Sequence, residues 1–331
     1  MTKTLATPPL HRPLWQRLLL RRLKFLTILA ALAIVVLGGS YLFAPQWLMQ
    51  ADHWRKAAQA HVEKHQLIAG DTTWSYYEGG DGPVLVLLHG YGTDKNVWLD
   101  VAAQLTAHFH VIIPDLPGWG ESSPASDGGY TVDAQAQRLQ SFVQAKGLNG
   151  FVLVGHSMGG AIAGVYAAEH PEHVAGLALL DALGLKSKDT AFTQATQAGT
   201  NPFVYDDRAG FEKAQALIFS KPPSVPGRLI DVLVQRNQRN RDLLNKTFAA
   251  LRDPAQRLAV QNRLGELNMP VLGLWCLNDK VTDISAQDSL RNGLAHSRSI
   301  STTTLIGCDH MPMLEKPEET ARVLANFTLA H

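Results

Sequence analysis

Several things are scarce in this chain, and each scarcity excludes something. Of 331 residues only two are cysteines, Cys276 and Cys308, so no disulfide framework can hold the fold and a hydrophobic core must do so. Both fall near the expected ends of neighbouring strands, so a bridge between them is geometrically conceivable. No Cys/His spacing matches a metal-ligand pattern. Internal repeats and low-complexity tracts are absent, which excludes solenoids and arrays. Acidic residues are missing from the first 51 positions, which carry Lys3, Arg12, Arg17, Arg21, Arg22 and Lys24. The overall charge of +1 therefore hides a segment at +6 joined to a body of 24 basic and 29 acidic residues. A mildly acidic body gives no reason to expect nucleic-acid binding.

What the N-terminal segment does have is an apolar run. Phe25 to Ala44 is 20 residues without a charge. As a helix it reaches about 30 Å, the thickness of a bilayer core. The basic residues precede it, so the positive-inside rule expects a single-pass anchor over 25–44, with 1–24 cytoplasmic. The rest of the chain then lies on the extracytoplasmic side, a periplasm in a diderm bacterium. A cleaved secretory signal is the alternative, with Gly38-Gly39-Ser40 as a tolerable cleavage site. Against it, the apolar run continues through Tyr41–Phe43 and exceeds a usual signal core. No Cys follows to accept lipid, and Arg21-Arg22 is a poor twin-arginine match. Apolar positions spaced three or four apart predict an amphipathic linker helix over 45–66. Its Trp47 and Trp54 either sit at headgroup level or pack on the body.

The body is built for a large core, the chain being 46% hydrophobic and 18% charged. Apolar runs at Val84–Leu88, Val111–Ile113, Phe151–Val154, Val174–Leu180 and Val271–Cys276 read as strands buried on both faces. Thr72–Tyr77 and Ile300–Ile306 add two more. Helical stretches at Val97–Phe109, Val132–Lys146, Ala161–His170, Ser285–Asn292 and Pro317–Leu329 alternate with them. That rhythm implies a mostly parallel sheet covered on both faces, over 67–183 and 266–331. Residues 184–265 break it. They hold no buried-strand run and read as a helical insertion.

Gly155-His156-Ser157-Met158-Gly159-Gly160 stands between a strand and a helix. A Gly-x-Ser-x-Gly turn there lifts Ser157 clear of the backbone and aims the Met158 N–H and the helix N-terminus at one point. Both suit an acyl-transfer nucleophile. A serine needs a base, and the base an orienting acid. His310, after the last strand, is the candidate base. Asp279, at the end of the strand before it, is the candidate acid. Asp181 and Asp283 are its rivals, Asp181 because it ends the strand after the nucleophile helix. Asp283 reads instead as a helix N-cap. The Met158 and Tyr91 backbone N–H groups are the candidate oxyanion donors, Tyr91 lying in the loop His89–Gly92. His89 and His156 flank the site without a required role.

These residues, with Asp115-x-Pro-Gly-x-Gly-x-Ser122, together resemble the α/β-hydrolase superfamily over about 62–331. The string from His89 to Trp98, Phe219–Pro223 and the N-terminal anchor look like the membrane-anchored monoacylglycerol lipase branch and bacterial family V lipases. The resemblance implies an α/β-hydrolase fold, with a mostly parallel eight-stranded sheet and a helical cap over 184–265. It implies a serine carboxylester hydrolase acting on monoacylglycerol-like or medium-chain esters. No metal or other cofactor is expected. In the cap, Phe203, Phe211, Leu217, Ile218, Phe219, Leu229, Ile230 and Leu233 either line an acyl channel or simply pack on the core. Carbon–carbon bond hydrolases and perhydrolases of this fold share the triad, so the core alone does not separate them. A non-catalytic tethered module would be expected to have lost a triad member.

The anchor reading is checked by fractionating cells that express a C-terminally tagged chain. A membrane-bound product with its N-terminus intact is expected; a soluble product shortened at its N-terminus contradicts it.

Overall fold

A computed structural model describes residues 13–331. Lys3 and Arg12, part of the basic segment, lie outside the described residues. The described residues divide into two compact units, one ending at Gln50 and the other spanning 51–331.

The first unit is dominated by one helix, α1 (Leu14–Phe43), with no buried residue along its 30 positions. It begins before the uncharged run, so Arg17, Arg21, Arg22 and Lys24 are helical too. Its mean hydropathy reaches 2.3, which makes it long and apolar enough to cross a membrane. Side chains such as Ile34 and Val35 are about 70% exposed, and water solvates such a surface poorly.

The linker corrects the expectation of one helix over 45–66. Helix α2 (Pro45–Gln59) stops early, His61 turns the chain at φ +50°, and strand β1 (Glu63–Ala69) follows. Val62, which extended the helical spacing, is instead folded back so that its N–H donates to Ala57 O at 3.1 Å. Strand β1 is an edge strand paired only with β2 (Thr72–Gly79). Its residues Glu63 to Gln66 are exposed, so they carry no apolar signature. The hairpin is held from the β2 side, where Trp74, Tyr76 and Tyr77 are buried.

The remaining strands are β3 (Val84–Leu88), β4 (His110–Pro114), β5 (Phe151–His156), β6 (Val174–Leu180), β7 (Val271–Cys276) and β8 (Ile300–Leu305). Among the described residues they form one eight-stranded sheet, ordered β1-β2-β4-β3-β5-β6-β7-β8. Strand β2 runs antiparallel to β1 and β4, and β3 to β8 pair in parallel. Strands β5 and β7 are buried at every position, as continuous apolar runs in a doubly covered sheet must be.

Helix α3 (Leu99–Leu105) follows β3, α4 (Val132–Lys146) follows β4, and α5 (Met158–Glu169) follows β5. Between β6 and β7 lie α6 (Ala191–Gln197), α7 (Arg208–Ile218), α8 (Gly227–Arg239), α9 (Arg241–Arg252) and α10 (Pro254–Arg257). No strand interrupts them among the described residues. Helix α11 (Ala286–Gly293) joins β7 to β8, and α12 (Pro312–Glu315) and α13 (Pro317–Ala330) close the chain. One face of the sheet packs on α4, α5 and α11 through Leu139, Phe142, Ile162 and Leu290. The other packs on α3 and α13 through Leu99, Leu105, Leu324 and Phe327.

The motif beginning at Asp115 holds the β3 and β4 loops together at this edge. Asp115 is fully buried and pairs with the ammonium of Lys95, itself 1% exposed and also bonded to Glu121. Asp115 also accepts from the Lys95 backbone N–H at 2.7 Å, while Ser122 Oγ donates to Asp115 O and accepts from Ser75 N. Leaving one member of such a buried pair without its partner typically costs about 3–5 kcal/mol. The loops that flank Ser157 are therefore rigidly mounted before any substrate arrives.

Candidate active site

The turn after β5 is strained. Ser157 takes φ +53° and ψ −118°, a conformation of order 1–3 kcal/mol above the allowed wells for a non-glycine residue. Two backbone bonds to the end of β6 and the loop after it hold it: Ser157 N donates to Leu180 O, and Ser157 O accepts from Leu183 N, both at 3.0 Å. Helix α5 starts at the next residue, so the Met158 N–H is among the first-turn donors without an intrahelical acceptor. Gly159 is required by close approach. A Cβ there would lie 2.4 Å from His89 O, in the loop after β3. Gly90 sits as tightly against the turn from the other side, where a Cβ would come 2.8 Å from His156 Nδ1 and 3.1 Å from Ser157 Cβ. The loop carrying Tyr91 thus lies directly against Ser157.

His310 and Asp279 arrive from the ends of β8 and β7. His310 Nε2 is 2.9 Å from Ser157 Oγ, and His310 Nδ1 is 2.8 Å from Asp279 Oδ2. All three residues are buried. Burial alone would push the Asp279 carboxyl up, but His310 and the donors around it outweigh that and hold it below its ordinary value. Those donors are Val281 N and Thr282 N on Oδ1, and Thr282 Oγ1 beside His310 on Oδ2. Cys276 and Cys308 are joined as a disulfide, their Cα atoms 5.4 Å apart. It lies three residues before Asp279 and two before His310, and ties the two loops together.

The other histidines here are fixed in single tautomers. Burial, with His310 alongside, lowers His156 to about 3, so it is neutral. Its Nε2–H donates to His310 O at 2.7 Å, steadying the loop of the candidate base. Burial also lowers His89. It accepts from Leu116 N at Nε2 and donates from Nδ1 to Gly90 O. Asp283, a rival for the acid, accepts from Ser285 N at 2.9 Å and starts the turn before α11. Asp181, the other rival, is buried beside Asp279 rather than against His310.

Above Ser157 is a cavity of roughly 200 Å³, with Tyr91, Ser157 and His310 in its floor. Of the cap residues anticipated from sequence, Phe203, Phe211, Ile218 and Leu233 line it. Leu217, Phe219, Leu229 and Ile230 do not; Phe219 joins the core under α3, and Ile230 packs on Phe211 and Val234. Phe192, Leu244, Phe248, Leu251 and Val281 also form its wall and were not foreseen. The spacing of Leu244, Phe248 and Leu251 along α9 was the available signal. A second cavity of roughly 330 Å³ shares Leu183, Phe192, Phe248 and Leu251 with the first. His170, Glu172 and His173 bring three potential metal-ligand atoms within 4.8 Å of one another. They cluster just beyond the C-terminus of α5, about 18 Å along the helix from Ser157, outside reach of the relay.

Residues 83–317 match the family model described as alpha/beta hydrolase fold. The chain belongs to the α/β-hydrolase family. Within it, Lipase 1 of Psychrobacter immobilis is 31% identical over 274 residues, covering 81% of this chain and 84% of that protein. Monoacylglycerol lipase ABHD6 of Bos taurus is 28% identical over 314 residues, covering 90% and 91%. The crystal structure of a membrane phospholipase A, described as a bacterial virulence factor, superposes with a TM-score of 0.81. It is 32% identical, with 93% of this chain and 98% of that one covered.

The tight seat of Gly90 makes a test. Gly90→Ala forces the loop away from Ser157, and overpacking of this kind costs about 1–3 kcal/mol. Fluorophosphonate labelling of Ser157 is expected to slow by at least about fivefold, with unchanged circular dichroism. Labelling at the wild-type rate contradicts the packing described.

Proposed function

We propose that this α/β-hydrolase cleaves carboxylic esters of acyl chains, through Ser157 as nucleophile, His310 as base and Asp279 as orienting acid. The observation that carries this reading is the unbroken relay from Ser157 Oγ through His310 to Asp279, opening into an apolar cavity. Ser157 attacks the ester carbonyl as His310 Nε2 takes its proton. Asp279 keeps the proton on Nδ1 and stabilises the imidazolium that forms. The Tyr91 and Met158 N–H groups receive the oxyanion. His310 then protonates the leaving alcohol, and water repeats the sequence on the acyl-enzyme.

The apolar cavity suits an acyl arm, with the ester held near Ser157. Medium-chain and monoacylglycerol-like esters fit this reading, and relatives named lipase and monoacylglycerol lipase support it. Helix α1 acts as a membrane tether in the same reading, with its basic end cytoplasmic. A tethered enzyme meets a lipid-derived ester where that ester partitions.

The test is hydrolysis of p-nitrophenyl esters from C2 to C16, beside mono-, di- and triacylglycerols, by the full chain in detergent. Turnover should peak at medium chains and on monoacylglycerol, and Ser157→Ala should lose about 10³-fold or more. A Ser157→Ala chain that still hydrolyses these esters overturns the reading. Wild-type inactivity on every ester shifts it to carbon–carbon bond hydrolysis on the same triad.

A further inference from the structure

Asp181 is a buried acid that the mechanism above leaves unused. It is the first residue after β6, with 0% exposure and φ +42°, a conformation that non-glycine residues rarely take. Its Oδ1 accepts from Cys276 N at 2.9 Å, capping the end of β7. Its Oδ2 is buried with no hydrogen-bond donor. Asp279 is fastened to the same residue, its N–H donating to Cys276 O at 3.3 Å, so the two buried carboxyl groups share the end of β7.

Two carboxyl groups buried at one strand end disfavour double ionisation, so one of the pair holds a proton. The donors decide which group holds it. Asp279 receives four, two on each oxygen. Asp181 receives one. The charge therefore belongs on Asp279 and the proton on Asp181. A proton on Oδ2 turns the one unpartnered oxygen of the pair into a donor for its neighbour, and the unpaired atom is accounted for.

We propose that Asp181 works protonated, as a positioning residue whose hydroxyl donates to Asp279 and holds the triad acid ionised and in line with His310. The inference rests on the reading of Ser157, His310 and Asp279 as a triad. The groups acting on Asp181 are consistent with it. Burial, with the acids Asp279 on the loop after β7 and Glu315 on α12 adding to it, pushes the Asp181 carboxyl well above the usual range. His310 stands on the far side of Asp279 and pairs with that residue.

The experiment compares Asp181→Asn and Asp181→Leu with wild type in the full chain, measuring kcat and KM for a p-nitrophenyl ester from pH 6 to 10. An asparagine accepts from Cys276 N and donates to Asp279 as the protonated acid does. It should keep kcat within about threefold at neutral pH, while leucine, with no donor, loses about 10- to 100-fold in kcat at unchanged KM. Wild type should lose kcat on the alkaline side as Asp181 ionises beside Asp279, and Asp181→Asn should not. That contrast needs only the asparagine variant, so a leucine variant that fails to fold leaves the test intact. Asparagine as damaging as leucine, or the same alkaline decline in wild type and Asp181→Asn, overturns the proposal. Wild type without ester turnover overturns the triad reading instead, so the two failures are distinguishable.

Discussion

One carboxylate kept charged in a dry pocket is the constraint on which the rest of this site depends. An unpaired buried charge is strongly disfavoured, and Asp279 is nearly sealed from water. The structure meets that cost with four donors. The donors on Asp279 come from the turn directly after β7, so the strand end and its charge are made by one short segment. His310 is then oriented by a fixed charge, and the strained turn at Ser157 presents its oxygen to the free ring nitrogen. The order of dependence runs from Asp279 outward to Ser157.

The insertion between β6 and β7 belongs to this arrangement as much as the sheet does. Tyr91 donates from its hydroxyl to Leu244 O on α9 and accepts from Asn201. Asp94, in the same loop, pairs with Arg236 on α8 at 2.7 Å. On the other side His310 N donates to Ile218 O, and Glu315 accepts from Ser220 N and from Asp309 N. Two of the loops around Ser157 are thus bonded to the cap. A rigid-body swing of the cap would break bonds that position His310 and the Tyr91 loop.

Much of this was legible in sequence because the signals are local. The apolar runs of β3, β5, β6 and β7 follow from burial on both faces, and the glycines around Ser157 follow from close packing in one turn. Asp279 and His310 could be placed at strand ends by the same rhythm. Strand β1 was not legible, because an exposed edge strand needs no apolar alternation. The cavity wall was half legible: amphipathic spacing marks which cap residues face inward, and says nothing about which of those face the cavity rather than the core. The pairing of Cys276 with Cys308 and the place of Asp181 beside Asp279 depend on neighbouring strands in space. For Asp181 the sequence could only nominate a rival acid. The supporting place proposed for it depends on counting donors around two side chains 98 residues apart.

The central claim is that Ser157 is the atom that attacks. Turnover of a p-nitrophenyl ester of a medium-chain acid, quenched in acid before the steady state, captures the covalent intermediate for peptide mass analysis. The account predicts a mass increase equal to the acyl group on the peptide containing Ser157. Ester turnover with no adduct there, or with the acyl group on another residue, would contradict it.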